Sequence, residues 1–336
     1  MEAGKLPPEL LARLLAANRV TDPRVLVGPA PGEDAAAIDM GDRVLVAKTD
    51  PITFATDEIG WYAVNVNAND VATMGAVPRW FLASVLLPEG APEALAEGIF
   101  GDIVAACRNL GISLVGGHTE ITYGLPRPVV VGCLLGEVER DGLVTSSGAR
   151  PGDALVLTKG IAVEGTALLA REARAALAAA GLPGELLERA AGFLRLPGIS
   201  VVRDARIACE CGGVHALHDP TEGGLITGLR ELAAAAGGGL RVDADAIPIF
   251  PETRAICEAL KLDPLGLIAS GALLAAVPPE RASALLEAYR SAGVPAAAIG
   301  ELTVLEEGFR LERAGRREPL PLFARDEIAR YFAKCG

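Results

Sequence analysis

Acidic residues and paired glycines recur where apolar stretches of this chain begin or end: G-E-D-A-A (Gly32 to Ala36), T-D (Thr49, Asp50), N-A-N-D (Asn67 to Asp70), V-G-G-H-T-E (Val115 to Glu120) and D-P-T-E-G-G (Asp219 to Gly224). At such element ends, carboxylate oxygens and backbone amides can gather around a phosphate and its metal. Magnesium prefers hard oxygen ligands in near-octahedral geometry and leaves positions to phosphate and water, a role that suits Asp34, Asp50 and Asp70. Asp34 follows Pro31-Gly32, and Asp50 directly follows an apolar strand pattern, so both are expected at turns with their oxygens free to enter a cleft. Asp70 lies inside the apolar helical pattern V-N-V-N-A-N-D-V-A-T-M-G-A, where burial without a partner is costly and a metal or ligand would relieve the cost. Taken singly, each acid reads equally well as a turn, capping or solvated residue. Taken together they favour a metal.

The glycine pairs point to phosphate. Gly116 and Gly117 at the end of a strand pattern would let backbone N–H groups approach a phosphate closely, with His118, Thr119 and Glu120 placed to touch phosphate, metal or ribose. A plain strand-end turn is the alternative. Asp219 to Gly224 precedes a helical pattern; Asp219 or Thr221 can cap that helix, while Gly223 and Gly224 open its first turn and leave N–H groups for an anion. Capping alone would also explain the acids. The chain has neither G-x-x-x-x-G-K-[ST] nor G-x-G-x-x-G after a strand, so a nucleotide site must be built otherwise. His215 and His218 form H-x-x-H without a third ligand at zinc spacing, and Cys209-x-Cys211 is similarly weak.

The elements that must hold these residues fall into two halves. In the first, Arg43 to Lys48, Leu82 to Leu87 and Pro128 to Leu135 read as strands, and Glu58 to Met74 and Pro92 to Leu110 as helices. The loop text S-S-G-A-R-P-G-D marks a boundary near residue 150, dividing the chain into domains 1–150 and 151–336. Beyond it come strands at Ala154 to Thr158, Leu240 to Asp243, Ala272 to Val277 and Ala298 to Val304. Two helices are expected between Glu164 and Leu194, broken at Gly181 to Gly184, then others at Leu225 to Ala236, Pro251 to Leu260 and Glu280 to Ala292. The fold class is therefore mixed α/β (α+β) in two domains, each large enough for its own core.

A net charge of -12 argues against a nucleic-acid partner, because clustered Lys and Arg are missing, and leaves ATP to be held by magnesium and backbone amides. The six cysteines form no disulfide framework, and no signal peptide or 18-residue apolar run is seen, so a cytoplasmic protein without membrane attachment is expected.

The ordered set G-E-D-A-A, T-D, G-W-Y-A-V-N-V-N-A-N-D-V-A-T-M-G-A-V-P (Gly60 to Pro78), G-G-H-T-E and H-D-P-T-E-G-G-L resembles the superfamily of aminoimidazole ribonucleotide synthetase. That superfamily also holds thiamine-monophosphate kinase, selenophosphate synthetase and the hydrogenase maturation factor that dehydrates a carbamoylated cysteine. D-P-T-E-G-G-L and L-D-P-L-G-L-I-A-S-G-A-L-L (Leu262 to Leu274) look most like the maturation factor. The resemblance implies a two-domain subunit whose N-terminal sheets pair into a barrel across a homodimer, with ATP and magnesium bound. It implies magnesium ligands at Asp34, Asp50 and Asp70, and phosphate contacts at Gly116, Gly117 and Thr119 and at Asp219, Thr221, Gly223 and Gly224. His118 stands where the factor has Asp, with Glu120 as a substitute ligand; Ser270 stands where it has Glu; and Cys335 is followed by Gly336 where the factor ends in cysteine. Selenophosphate synthesis is not expected, since no reactive cysteine and lysine lie in an N-terminal glycine-rich loop. The resemblance implies an ATP-dependent phosphoryl-transfer enzyme that activates an amide-type oxygen. A small-molecule kinase or a non-catalytic nucleotide-binding assembly protein are the alternatives, and the catalytic residues and the acceptor stay unassigned.

Overall fold

The computed structural model describes residues 6, 8–17, 20–29, 33–53, 55 and 57–335; Gly32 of the first motif lies outside them. After helix α1 (Pro8–Ala16), residues 20–29 and 34–143 form one compact unit, and residues 144–335 group with α1 in a second. Both are mixed α/β.

The first unit is a six-stranded sheet of β1 (Val25–Val27), β2 (Ala36–Asp39), β3 (Arg43–Ile52), β4 (Val77–Pro88), β5 (Ser113–Thr122) and β6 (Val129–Glu139), in the order β1-β2-β3-β6-β4-β5. Only β4 and β5 run parallel. Helix α2 (Ile59–Thr73) connects β3 to β4, and α3 (Glu93–Leu110) provides the crossover from β4 to β5. Every residue of α2 is buried, which accounts for its apolar and alanine-rich text; α3 buries only the stripe Ile99, Ile103, Ala106 and Cys107. Gly132 on β6 lets α2 approach the sheet, because a Cβ there would lie 2.3 Å from Asn67 Nδ2. That close approach brings the polar residues of α2 against β3.

In the second unit, β7 (Ala154–Thr158) leads into α4 (Val163–Glu172), α5 (Arg174–Ala179), α6 (Gly184–Ala191) and α7 (Val202–Cys211). Three helices therefore occupy the stretch where two were expected. The extra break falls at Ala173, between Glu172 and Arg174, where no glycine or proline signals it. Then follow β8 (Ala216–His218), α8 (Gly224–Ala236), β9 (Gly239–Asp243), α9 (Pro251–Leu260), β10 (Leu274–Val277), α10 (Pro279–Ser291), β11 (Ala296–Thr303), β12 (Phe309–Arg313), β13 (Arg316–Pro319) and α11 (Glu327–Cys335). The seven strands order as β13-β12-β9-β11-β7-β10-β8, with only β9 and β12 parallel. Leu155, Leu157, Leu225, Leu229, Leu240, Leu274 and Ile299 belong to the core packed on this sheet. Among the described residues, no helix is long and apolar enough to cross a membrane.

Candidate functional site

In the first unit, β3 does not end before Asp50. It runs to Ile52, and Asp50 pairs with Gly132 inside the sheet. Lys48 and Asp50, two residues apart on a strand, share one face. Asp70 meets them from α2: Lys48 Nζ lies 3.1 Å from Asp70 Oδ2 and 3.5 Å from Asp50 Oδ2. Asp34 joins through Thr73, one helical turn beyond Asp70, whose Oγ1 lies 3.2 Å from Asp34 Oδ2, and Asp34 and Asp70 present oxygens within 4.8 Å of each other. Asn67 binds the same two elements together, its Nδ2 donating to the carbonyls of Ala63 at 2.8 Å and Asp50 at 3.3 Å.

Burial pushes the Asp70 carboxyl up to about 7; Lys48 draws it back, while Asp50 and Asp34 add to the rise. For Lys48, burial works against the ammonium, but Asp70, Asp50 and Asp34 outweigh it and hold the group above its ordinary value. Three carboxylates thus face one ammonium, an excess of negative charge that a hard divalent cation would neutralise. Oxygen donors of this kind suit a hard cation such as magnesium, which Asp34, Asp50 and Asp70 could hold. Lys48 had passed in the sequence as the last residue of a strand. Its signal was its spacing, two residues before Asp50 at the end of R-V-L-V-A-K.

Val115 to Glu120 is neither a turn nor a loop. The segment lies inside β5, with Gly116 opposite Leu82 and Gly117 opposite Ala83 of β4. Gly117 has φ +151°, and a Cβ there would sit 2.0 Å from the Ala83 carbonyl oxygen, so this glycine serves the close approach of two strands. His118 Nε2 lies 3.2 Å from Glu120 Oε2 on the exposed edge. Two strands, β6 and β4, separate β5 from β3, a distance of roughly 14 Å at ordinary strand spacing. Within one chain, Gly116, Gly117, His118, Thr119 and Glu120 therefore stand apart from Asp50. Sheet order, which local spacing cannot reveal, decides this.

In the second unit, Asp219 to Gly224 joins β8 to α8, and Asp219 is buried. The cap of α8 is Gly223 in left-handed conformation, not Asp219 or Thr221. Nor are the N–H groups of the two glycines open to an anion: Gly223 N–H donates to Asp326 Oδ2 at 2.6 Å, and Gly224 N–H donates to the Thr221 carbonyl at 3.0 Å. The start of a helix attracts negative charge, and here a carboxylate of the chain itself takes part of that place. Asp326 also accepts from Ile328 N–H at 2.8 Å and Ile268 N–H at 3.3 Å; burial nevertheless holds its carboxyl up to about 6 against these donors. Thr221 contributes its carbonyl, which accepts from Ala269 N–H at 3.1 Å, so the D-P-T-E-G-G segment is bound to the loop around Ser270.

Glu164 lies beside that loop. Its backbone N–H donates to the Ser270 carbonyl at 3.2 Å, and burial raises its carboxyl to about 7 while Ser270 favours the ionised form. Sequence reading missed Glu164 and Asp326. For Glu164 the signal was available, a single acid within the apolar run G-I-A-V-E-G-T-A-L-L-A, the same signal that marked Asp70.

The histidines do not form a zinc site. His215 Nδ1 contacts Asp153 at 2.9 Å and His218 Nε2 lies 3.3 Å from Glu231, so each faces a different acid. Burial raises the thiols of Cys107 and Cys209 to about 11 and Cys257 to about 12, which lowers their thiolate fraction near neutrality. Helix α11 extends to Cys335, but the side chain of Cys335 and Gly336 lie outside the described residues.

The N-terminal domain family of AIR synthase related proteins matches residues 32–138, and the corresponding C-terminal domain family matches residues 150–310. The carbamoyl dehydratase HypE of Cupriavidus necator is 35% identical over 287 residues, covering 82% of this chain and 78% of that protein. A putative hydrogenase expression/formation protein of Methanocaldococcus jannaschii, MJ0676, is 30% identical over 323 residues, covering 94% of this chain and 93% of its own. Among solved structures, hydrogenase maturation protein HypE in complex with ATP superposes with a TM-score of 0.71 at 27% identity, over 95% of this chain and 91% of the other. Two successive domain matches, together with relatives aligned over most of their length, establish that the chain belongs to the family of AIR synthase related proteins.

Proposed function

We propose that this protein is an ATP- and magnesium-dependent phosphoryl-transfer enzyme that activates an amide-type oxygen for loss, a dehydration of the kind named in its carbamoyl dehydratase relatives. The observation that carries the reading is the acid group of Asp34, Asp50 and Asp70 around Lys48, whose negative charge exceeds what one ammonium can balance. Magnesium, when bound, would screen the phosphate oxygens and favour attack at the γ-phosphorus. Asp34, Asp50 and Asp70 would orient it, Lys48 would keep Asp70 ionised, and Asn67 would keep α2 in place on β3. Phosphate contacts remain assigned to Gly116, Gly117, His118 and Thr119, and to Asp219, Thr221, Gly223 and Gly224. Two of these need movement, because the N–H groups of Gly223 and Gly224 must leave Asp326 and Thr221 before they can reach a phosphate.

The overall change balances simply. The amide oxygen attacks the γ-phosphorus, the bond from that phosphorus to the bridging oxygen breaks, and ADP leaves. Loss of the amide oxygen as phosphate and of two N–H protons then yields a nitrile. Cys335, carbamoylated, is one acceptor consistent with this chemistry, and a carbamoyl group on another chain is equally so.

A homodimer completes the reading. Strand β5 is one edge of the sheet among the described residues, and Val115 is 54%, Ile121 64% and Tyr123 85% exposed along and just beyond it. An apolar edge of this kind supports pairing with a second copy.

Calorimetric ATP binding with and without Mg²⁺, for the wild type and Asp50→Asn, tests the proposal. Binding that requires magnesium in the wild type and fails in the variant is the expected result; a wild type that binds no ATP would overturn it. With an ¹⁸O-labelled carbamoyl acceptor, the label must appear in the released phosphate.

A further inference from the structure

Glu164 is positioned with unusual care for a helix residue. Between the end of β7 and the start of α4, Lys159 and Ala162 both take positive φ, at +57° and +56°, which turns the chain sharply and sets Glu164 in the first turn of α4. The helix start is pressed onto the 267–270 loop: Glu164 N–H donates to Ser270 O at 3.2 Å and Gly165 N–H to Ile268 O at 3.1 Å. A Cβ on Gly165 would lie 2.5 Å from Leu267 Cγ. The residue is only 8% exposed.

Ser270, through its side chain and its backbone, favours the ionised carboxylate, yet Oε2 is buried without a hydrogen-bond partner. Asp326 shows the contrast, since its carboxylate collects three backbone N–H donors. An acceptor withdrawn from water and left unfilled costs stability, and a fold that merely needed a helix-capping acid would have had no use for the orphan oxygen. The acids acting on it, Asp326 and Glu222, are both negative, so they too oppose its ionisation. The vacant acceptor suits an N–H donor that can surrender a proton.

We propose that Glu164 is the proton acceptor for the acceptor amide, with its free Oε2 receiving the amide nitrogen while Ser270 holds the carboxylate in place. This assignment rests on the phosphoryl-transfer reading above and names the group that reading left open. Once the amide oxygen carries phosphate, the C–O bond breaks and its electrons leave with phosphate. The two N–H bonds break as the C≡N bond forms, one proton going to Glu164 and on to solvent, the other leaving on hydrogen phosphate. Burial raises the carboxyl to about 7, a value matched to a base working near neutrality.

The test uses the full-length protein with N-acetyl-S-carbamoylcysteine methyl ester as the acceptor probe, read as probe-dependent phosphate release, alongside Mg-ATP binding by calorimetry. Glu164→Gln is expected to bind Mg-ATP as the wild type does while its kcat with the probe falls by roughly 10²- to 10⁴-fold, the usual worth of a general base. The wild-type kcat should fall as pH drops below about 7, and that limb should be missing from the variant. The exchange Glu164→Ser with Ser270→Glu, which returns the carboxyl from the other side of the same hydrogen bond, should recover part of the lost rate. Wild-type kcat in Glu164→Gln would overturn the assignment, and so would a wild type that binds Mg-ATP but releases no probe-dependent phosphate. Loss of Mg-ATP affinity in Glu164→Gln, unrestored by the exchange, would reassign the residue to structure. A wild type that binds no Mg-ATP sinks the underlying reading, and calorimetry alone reveals that case.

Discussion

Lys48 and Glu164 illustrate opposite solutions to charge in a low-dielectric interior. Lys48 pairs with Asp70 and Asp50, and removing it leaves Asp70 buried beside two other acids. Breaking a fully buried pair costs about 3–5 kcal/mol; because Lys48 keeps 20% of its side chain exposed, Lys48→Met should cost about 2–3 kcal/mol in urea unfolding. Added Mg²⁺ should recover part of that loss, since a cation can substitute for the ammonium. Glu164 has no cationic partner of this kind, so its burial appears as pH dependence. Its carboxyl moves from 4.5 to about 7 on folding, so between those values the folded chain holds a proton that the unfolded chain has released. The stability it contributes is full below about pH 4.5 and is lost as pH rises through about 7. Glu164→Gln should therefore unfold at higher temperature than the wild type above pH 7, by on the order of 1–3 kcal/mol, and should lack that part of the slope. An unchanged slope would mean that Glu164 is not buried as described. Asp70 and Glu164 carry a local signal, as acids in apolar text, whereas Lys48 and Ser270 acquire meaning only through contacts distant in the chain.

At the scale of elements, the glycine pair at 116–117 shows how one motif supports two readings. Paired glycines suit a phosphate turn or a close strand contact, and composition does not distinguish them. The parallel pairing of β5 with β4 accounts for Gly117 as a strand contact, because it lies against the Ala83 carbonyl with no room for a Cβ. Gly117→Ala should accordingly destabilise the first unit by about 2–4 kcal/mol through steric and backbone strain, detectable as a lower urea midpoint without loss of the far-ultraviolet signal at zero denaturant. Substitution at Gly41, whose added Cβ meets nothing within 4 Å but whose φ is +96°, controls for backbone strain alone. Most strands and helices were readable from periodicity, including β7 and α9 to the residue. The α4–α5 break was not, because Ala173 stands between Glu172 and Arg174 with no glycine or proline to mark it.

At the scale of the whole molecule, the exposed β5 edge bears the prediction of a homodimer. Ile121→Lys with Tyr123→Lys places charge on that edge, and light scattering after gel filtration should show the wild type at twice the mass of the double variant. A monomeric wild type would remove the dimer from the account. What the sequence determined by itself was the α/β class, the division into two domain-sized halves, and the identity of the acids that gather in the first unit. These follow from local periodicity, turn residues and the cost of placing an acid in apolar text, all of which act over a few residues. Only the tertiary structure decided that Lys48 sits among Asp50 and Asp70, that two strands part Glu120 from Asp50, that Asp326 takes the N–H of Gly223, and that Glu164 meets Ser270. The physical reason is the same in each case. Strand order and loop closure join residues separated by tens or hundreds of positions, and the energy that selects those pairings comes from packing and desolvation of the whole unit, which no local pattern encodes.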